Sequence, residues 1–119
     1  MSTDTLFHMH GQAQSAAIRD LNDAFRQSFV GGAVMLTSGI IALGRVSQDA
    51  VLAKVRAFDA FTSENDPYGQ HDFGSFEHGG QWIMFKIDYY DADIVHGSDN
   101  PADPCITKRV LTVMLASDH

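Results

Sequence analysis

Four residues capable of acid–base chemistry fall close together in the second half of the chain: His71 and Asp72, then Asp88 and Tyr90. An imidazole oriented by a carboxylate can serve as a general base, with a phenol holding a proton beside it. If residues 71–78 and 81–90 form a hairpin through Gly79-Gly80, pairing His78 with Gln81 sets His71 opposite Asp88, with Tyr90 on the same face. Asp72 then falls opposite Ile87, on the other face. A small hydrolase or metal-dependent enzyme would be built from this set. Such chemistry also needs a nucleophile or a metal within hydrogen-bond reach, and no residue pattern supplies one, so a cross-strand polar pair is the plainer reading of His71 and Asp88.

The other chemical patterns are weaker. Asp91-Ala92-Asp93 beside Asp88 offers oxygen ligands for Mg²⁺ or Ca²⁺, but it lacks the twelve-residue loop closed by a glutamate and reads as a solvated acidic loop. His8-Met9-His10 could chelate a transition metal, yet the six histidines match no zinc spacing and Cys105 is the single cysteine. Asp72-Phe73-Gly74 spells the kinase metal-binding tripeptide without a glycine-rich loop or a His-Arg-Asp loop to accompany it. No cofactor and no metal are therefore expected. Cys105 follows Pro104 at an expected helix start, where a thiolate would be favoured, but no base adjoins it and a structural role is preferred.

Charge is distributed unevenly. Asp59, Glu64, Asp66, Asp72, Glu77, Asp88, Asp91, Asp93, Asp99 and Asp103 share their segment with one cation, Lys86, while the whole 119-residue chain carries a formal net charge of −7. Such a field repels nucleic acid and anionic membranes and attracts basic protein surfaces. Neither direct nucleic-acid binding nor membrane association is therefore expected. The opening residues MSTDTLFHMH have neither a basic nor an apolar signal region, and no apolar run approaches a membrane span, so a cytoplasmic location is expected.

These residues must be positioned by ordinary elements. Ile18, Leu21, Phe25 and Phe29 recur at helical spacing, predicting an amphipathic helix over about 12–29 that ends at Gly31-Gly32. Ala33 to Leu36 reads as a buried strand, and Ile40 to Leu43 as a second strand or a helical turn. Ser47 offers an N-cap for a helix carrying Val51, Val55 and Phe58 to about Phe61. A loop over 62–70 precedes the hairpin, and a second acidic loop over 91–103 follows it. Asp103-Pro104 then opens a final helix with Ile106, Val110, Val113 and Met114 on its buried stripe. The sum is one α+β domain over 12–119, with a flexible segment over 1–11. Its sheet is small and largely antiparallel, with three to four strands and a central hairpin, and about three helices pack on one face.

Several motifs resemble a bacterial family of small acidic proteins catalogued as domain of unknown function three-seven-six-eight. They are Leu21-Asn22-Asp23-Ala24-Phe25-Arg26, Val55-Arg56-Ala57-Phe58-Asp59-Ala60-Phe61, Asn65-Asp66-Pro67-Tyr68-Gly69, His71-Asp72-Phe73-Gly74, Lys86-Ile87-Asp88-Tyr89-Tyr90-Asp91, Asp99-Asn100-Pro101-Ala102-Asp103-Pro104 and Arg109 to Ala116. The resemblance spans about residues 15–119. It singles out Asp66, Pro67, Tyr68, Gly69, His71, Asp72, Asp88, Tyr89, Tyr90 and Asp91 as motif positions, and it implies no reaction. Members occur on chromosomes and mobile elements, often near genes suspected of countering host defence.

The leading expectation is a non-enzymatic interaction module whose carboxylates replace phosphates on a basic surface, such as the nucleic-acid groove of a restriction or CRISPR-type complex. Glu64, Asp66, Tyr68, Asp88, Tyr90, Asp91, Asp93 and Asp99 are the candidate contact residues, with an exposed Tyr68, Tyr90 or Trp82 as apolar anchor. The alternatives are the enzyme built on His71, Asp72, Asp88 and Tyr90, and a homodimer formed through the hairpin face.

Overall fold

The computed structural model describes residues 3–119, with side chains from residue 13 onward. Its elements are α1 (Thr3–Ser28), β1 (Gly32–Leu36), α2 (Ser38–Ile41), α3 (Arg45–Ala57), β2 (Phe73–His78), β3 (Gln81–Tyr90), β4 (Lys108–Leu115) and a 3₁₀ turn (Ala116–Asp118). The four strands form one open sheet in the order β1-β4-β3-β2. β4 pairs parallel with β1 and antiparallel with β3, so the sheet is mostly antiparallel.

The hairpin has the expected register. His78 pairs with Gln81, Phe76 with Ile83, Gly74 with Phe85 and Phe73 with Lys86. Gly79 and Gly80 both have positive φ, 60° and 81°, the backbone that a two-residue turn matching strand twist requires. Alternation then places Ile83, Phe85 and Ile87 on one face, where Leu111 and Val113 of β4 join them. Phe25 of α1, Ile40 of α2, and Val51 and Val55 of α3 close this core. All three helices therefore lie on one face of the sheet.

Three expectations are corrected. The final helix is strand β4 instead, and Cys105 sits exposed in the loop before it. β4 lies inside the sheet, where burial on both faces gives a near-continuous apolar run, and its β-branched Val110, Thr112 and Val113 favour the extended chain. Helix α3 starts at Arg45 behind Gly44, without a side-chain cap, so Ser47 lies inside it. Helix α1 begins at Thr3, well before the expected Gln12. Residues 38–41 resolve the choice between strand and turn as the short helix α2.

Candidate functional site

The loop over 62–70 leads into β2, and the loop over 91–107 connects β3 to β4, so both acidic loops gather at one end of the sheet. Helix α1 crosses this end. Gln14 donates to Asn100 of one loop at 2.9 Å, and Asn22 donates to the Gln70 carbonyl of the other at 3.0 Å.

Asn22 is the centre of a buried polar network. Its amide nitrogen also donates to the Tyr89 hydroxyl at 2.7 Å, and its oxygen accepts from Arg109 Nε at 2.8 Å. Tyr89 donates in turn to Asp72 Oδ2 at 3.0 Å. The Arg109 guanidinium bonds the Pro101 carbonyl and lies 5.2 Å from the centre of the Tyr89 ring. A buried cation is thus held by neutral oxygens and an aromatic face. Burial lowers the Arg109 pKa from its usual value, and a guanidinium remains charged regardless. Burial also raises the Tyr89 pKa, which keeps the hydroxyl protonated as the donor to Asp72.

A second chain of contacts starts one helical turn on. Arg26 is buried, and its Nε and Nη2 donate to the Val55 and Phe58 carbonyls at 3.2 and 3.0 Å, satisfying the end of α3 where acceptors are otherwise orphaned. Its Nη1 holds Asp23 at 2.9 Å. Asp23 receives His71 Nδ1 at 2.9 Å, and the imidazole stacks on Phe61 with ring centres 3.9 Å apart. His71 Nε2 faces Asp66 Oδ2 at 3.7 Å.

The pairing of His71 with Asp88 does not form. His71 adopts a positive φ of 56°, which ends the strand geometry before β2 and turns the ring toward α1. Asp72 keeps its place opposite Ile87, whose N–H donates to the Asp72 carbonyl at 2.8 Å. His71 and Asp72 thereby share the helix-covered side with Tyr89, whereas Asp88 and Tyr90 point to the opposite face, Asp88 pairing with Lys86 at 3.2 Å. The four-residue catalytic set is split between two faces.

The structure divides the expected contact residues as well. Glu64, Tyr68, Asp93 and Asp99 are exposed. Asp66 turns inward with its side chain only 7% exposed, accepting from the Gln70 and His71 N–H groups and so fixing the loop. Asp91 accepts from the Val95 N–H at 3.0 Å, and this bond, with further backbone donors, holds its carboxyl below the usual range. Both carboxylates shape the loops that present the others.

Beside His71 lies an open cleft of about 300 Å³, lined by Asp23, Arg26, Arg56, Phe58, Asp59 and Phe61 among others. His71 offers it little chemistry, because Nδ1 is engaged by Asp23, Nε2 faces Asp66 and one ring face is covered by Phe61. Among the described residues every buried side-chain nitrogen and oxygen has a partner, and no group of three or more His, Cys, Asp or Glu is placed to hold a metal. His8 and His10 lie outside the residues whose side chains are described. Among the described residues no helix is long and apolar enough to cross a membrane.

Asp72 gives the network a pH signature. Burial, opposed by the Tyr89 hydrogen bond, raises its folded pKa above the ordinary carboxylate value, so the folded state binds this proton more tightly than the unfolded chain. The resulting stabilisation is complete below the unfolded pKa and is lost as pH rises through the folded one. Asp72→Asn keeps an acceptor for Tyr89 and removes the buried charge. Thermal melts at several pH values should therefore show D72N at or above wild type at pH 7, with the difference shrinking toward pH 4. A variant markedly less stable at pH 7 would mean that the charge itself is needed.

Asn22, Asp23, Arg26 and Arg109 were not foreseen as a site, although three of them stand in the Leu21 to Arg26 motif. No curated protein and no solved structure matches the chain. A family model described as "Protein of unknown function (DUF3768)" matches residues 36–118, a narrower span than the motifs suggest, and by that match the chain belongs to this family.

Proposed function

We infer that the chain is a protein-interaction module that uses its acidic end on a basic protein surface. The observation carrying this reading is the convergence of two acidic loops on one end of the sheet, each held in shape by a carboxylate that accepts from its own loop's backbone, Asp66 or Asp91. Glu64, Asp93 and Asp99 stay exposed there, and Tyr68, 78% exposed, supplies an aromatic anchor beside them. Loops fixed before binding lose less entropy on association than mobile ones. A surface built to receive phosphate oxygens would accept carboxylates at comparable positions, which makes the nucleic-acid groove of a restriction or CRISPR-type complex the partner class we favour. The contacts of His71, its Nδ1 bonded to Asp23 and one ring face against Phe61, weigh against the enzyme reading.

The test is capture from bacterial lysate by the immobilised chain at about 50 and 300 mM salt, with and without nuclease, because rim charge pairs weaken as the Debye length shrinks. The expected result is a nucleic-acid-binding protein held at low salt, released at high salt, and competed off by added DNA or RNA. Capture that resists salt, or that nucleic acid leaves untouched, would contradict the reading.

A further inference from the structure

The sheet has a second face on which no helix of the described residues packs. The even-numbered residues of β3 from Trp82 to Tyr90 and of β4 from Lys108 to Met114 form it, with Met35 of β1 and Phe73 and Glu77 of β2. Met35 and Trp82 are each 58% exposed. Four strands about 4.8 Å apart, with the length of β4 at about 3.3 Å per residue, give a projected footprint of about 500 Å². Val110 and Met114 are only 7% and 4% exposed, so the open part of this footprint is smaller and suits a weak dimer below the ~800 Å² per partner of a standard interface. Met35 and Trp82 share the exposed part of this face with the Lys86–Asp88 pair on the interior strand β3, so recognition here combines apolar contact with charge pairing.

We propose that this face binds a second copy of the chain, with a two-fold axis lying in the interface and crossing β3 between Lys86 and Asp88. Charge selects the occupant. The chain is acidic overall, yet this face carries Lys86 and Lys108 against Asp88 and Glu77, so two copies meet here without net repulsion. The proposed axis sets Lys86 of each copy against Asp88 of the other, and Met84 against Tyr90, a sulfur–aromatic contact. It also directs the two acidic ends away from each other. An axis along the strands would bring them together. The dimer leaves Glu64, Tyr68, Asp93 and Asp99 free, so it stands or falls independently of the acidic-end reading.

Trp82 is the only tryptophan in the chain, which makes its emission a direct reporter of this face. Sedimentation and tryptophan fluorescence are measured together over a concentration series. The expected result is a rise from the 13.0 kDa monomer to twice that mass, with a parallel blue shift and loss of quenching by an aqueous quencher. Lys86→Glu should weaken the dimer by about tenfold or more by placing like charges together, and K86E/D88K should restore it. Circular dichroism confirms that the variants are folded. A wild-type chain that stays monomeric up to millimolar concentration would overturn the proposal, as would a dimer that K86E leaves unchanged.

Discussion

Asn22→Ala should cost about 3–4 kcal/mol, a large part of the ~5–15 kcal/mol that holds a domain of this size. The side chain is 0% exposed and joins five parts of the fold: α1 carries it, Gln70 belongs to the first loop, Tyr89 to β3, and Arg109 to β4 and, through Pro101, to the second loop. Removing it leaves Arg109, only 3% exposed, without its Nε acceptor, and leaves the Gln70 carbonyl and Tyr89 hydroxyl short of a donor. A buried charge deprived of one of its acceptors costs more than a lost neutral hydrogen bond, and two further groups lose their donor, which places the estimate above the ~1 kcal/mol of an ordinary deletion. Asn22→Asp should fall between the two, because it keeps the acceptor for Arg109 and loses both donors. Urea unfolding of the two variants checks this ranking. A loss below about 1 kcal/mol for N22A would show that α1 is anchored by its apolar face alone.

Gly74→Ala should lower stability by about 2–3 kcal/mol, with a melting point about 10 °C lower, although it adds a single methyl group. A Cβ at Gly74 would lie 2.4 and 2.6 Å from atoms of the Phe85 ring and 2.7 Å from Phe58. Neither ring can retreat easily. Phe85 is fully buried, and Phe58 packs edge-on to it at 5.2 Å and to Phe61 at 4.9 Å. Phe61 in turn supports His71, so the strain should reach the polar cluster. Phe85→Leu in the same chain makes room, and the double variant should recover part of the loss relative to the sum of the single ones. Simple additivity would indicate that the methyl group is accommodated elsewhere.

The parts of the fold legible in the sequence are those whose signals are local. Two glycines with alternating aromatic and β-branched residues on either side determine the β2–β3 register, and the helical spacing of Ile18, Leu21 and Phe25 marks α1. In β4, Val110, Val113 and Met114 imitate a helical stripe, so the sequence predicts a helix where the chain is extended. A strand buried on both faces shows no alternation, and only its β-branched content argued for extension. The site was less visible still. Asn22 stands four residues after Ile18 and three before Phe25, on the apolar stripe of α1, with Arg26 and Asp23 beside it, and their partners at the end of α3 and before β2 are set by tertiary packing that no local signal announces. His71 left its expected face through one positive φ, a property that its residue type does not announce.

The central claim is that the exposed carboxylates act on a partner, in loops shaped by Asp66 and Asp91, and that the His71 side chain and its cleft take no part in that contact. Its most direct test compares three immobilised proteins in the same low-salt capture: wild type, E64Q/D93N/D99N, and His71→Gln, each verified as folded. The account predicts that the captured basic protein is retained by wild type and H71Q and lost by the neutralised variant. Equal capture by the neutralised variant, or loss with H71Q alone, would contradict it and assign the function to the cleft beside His71.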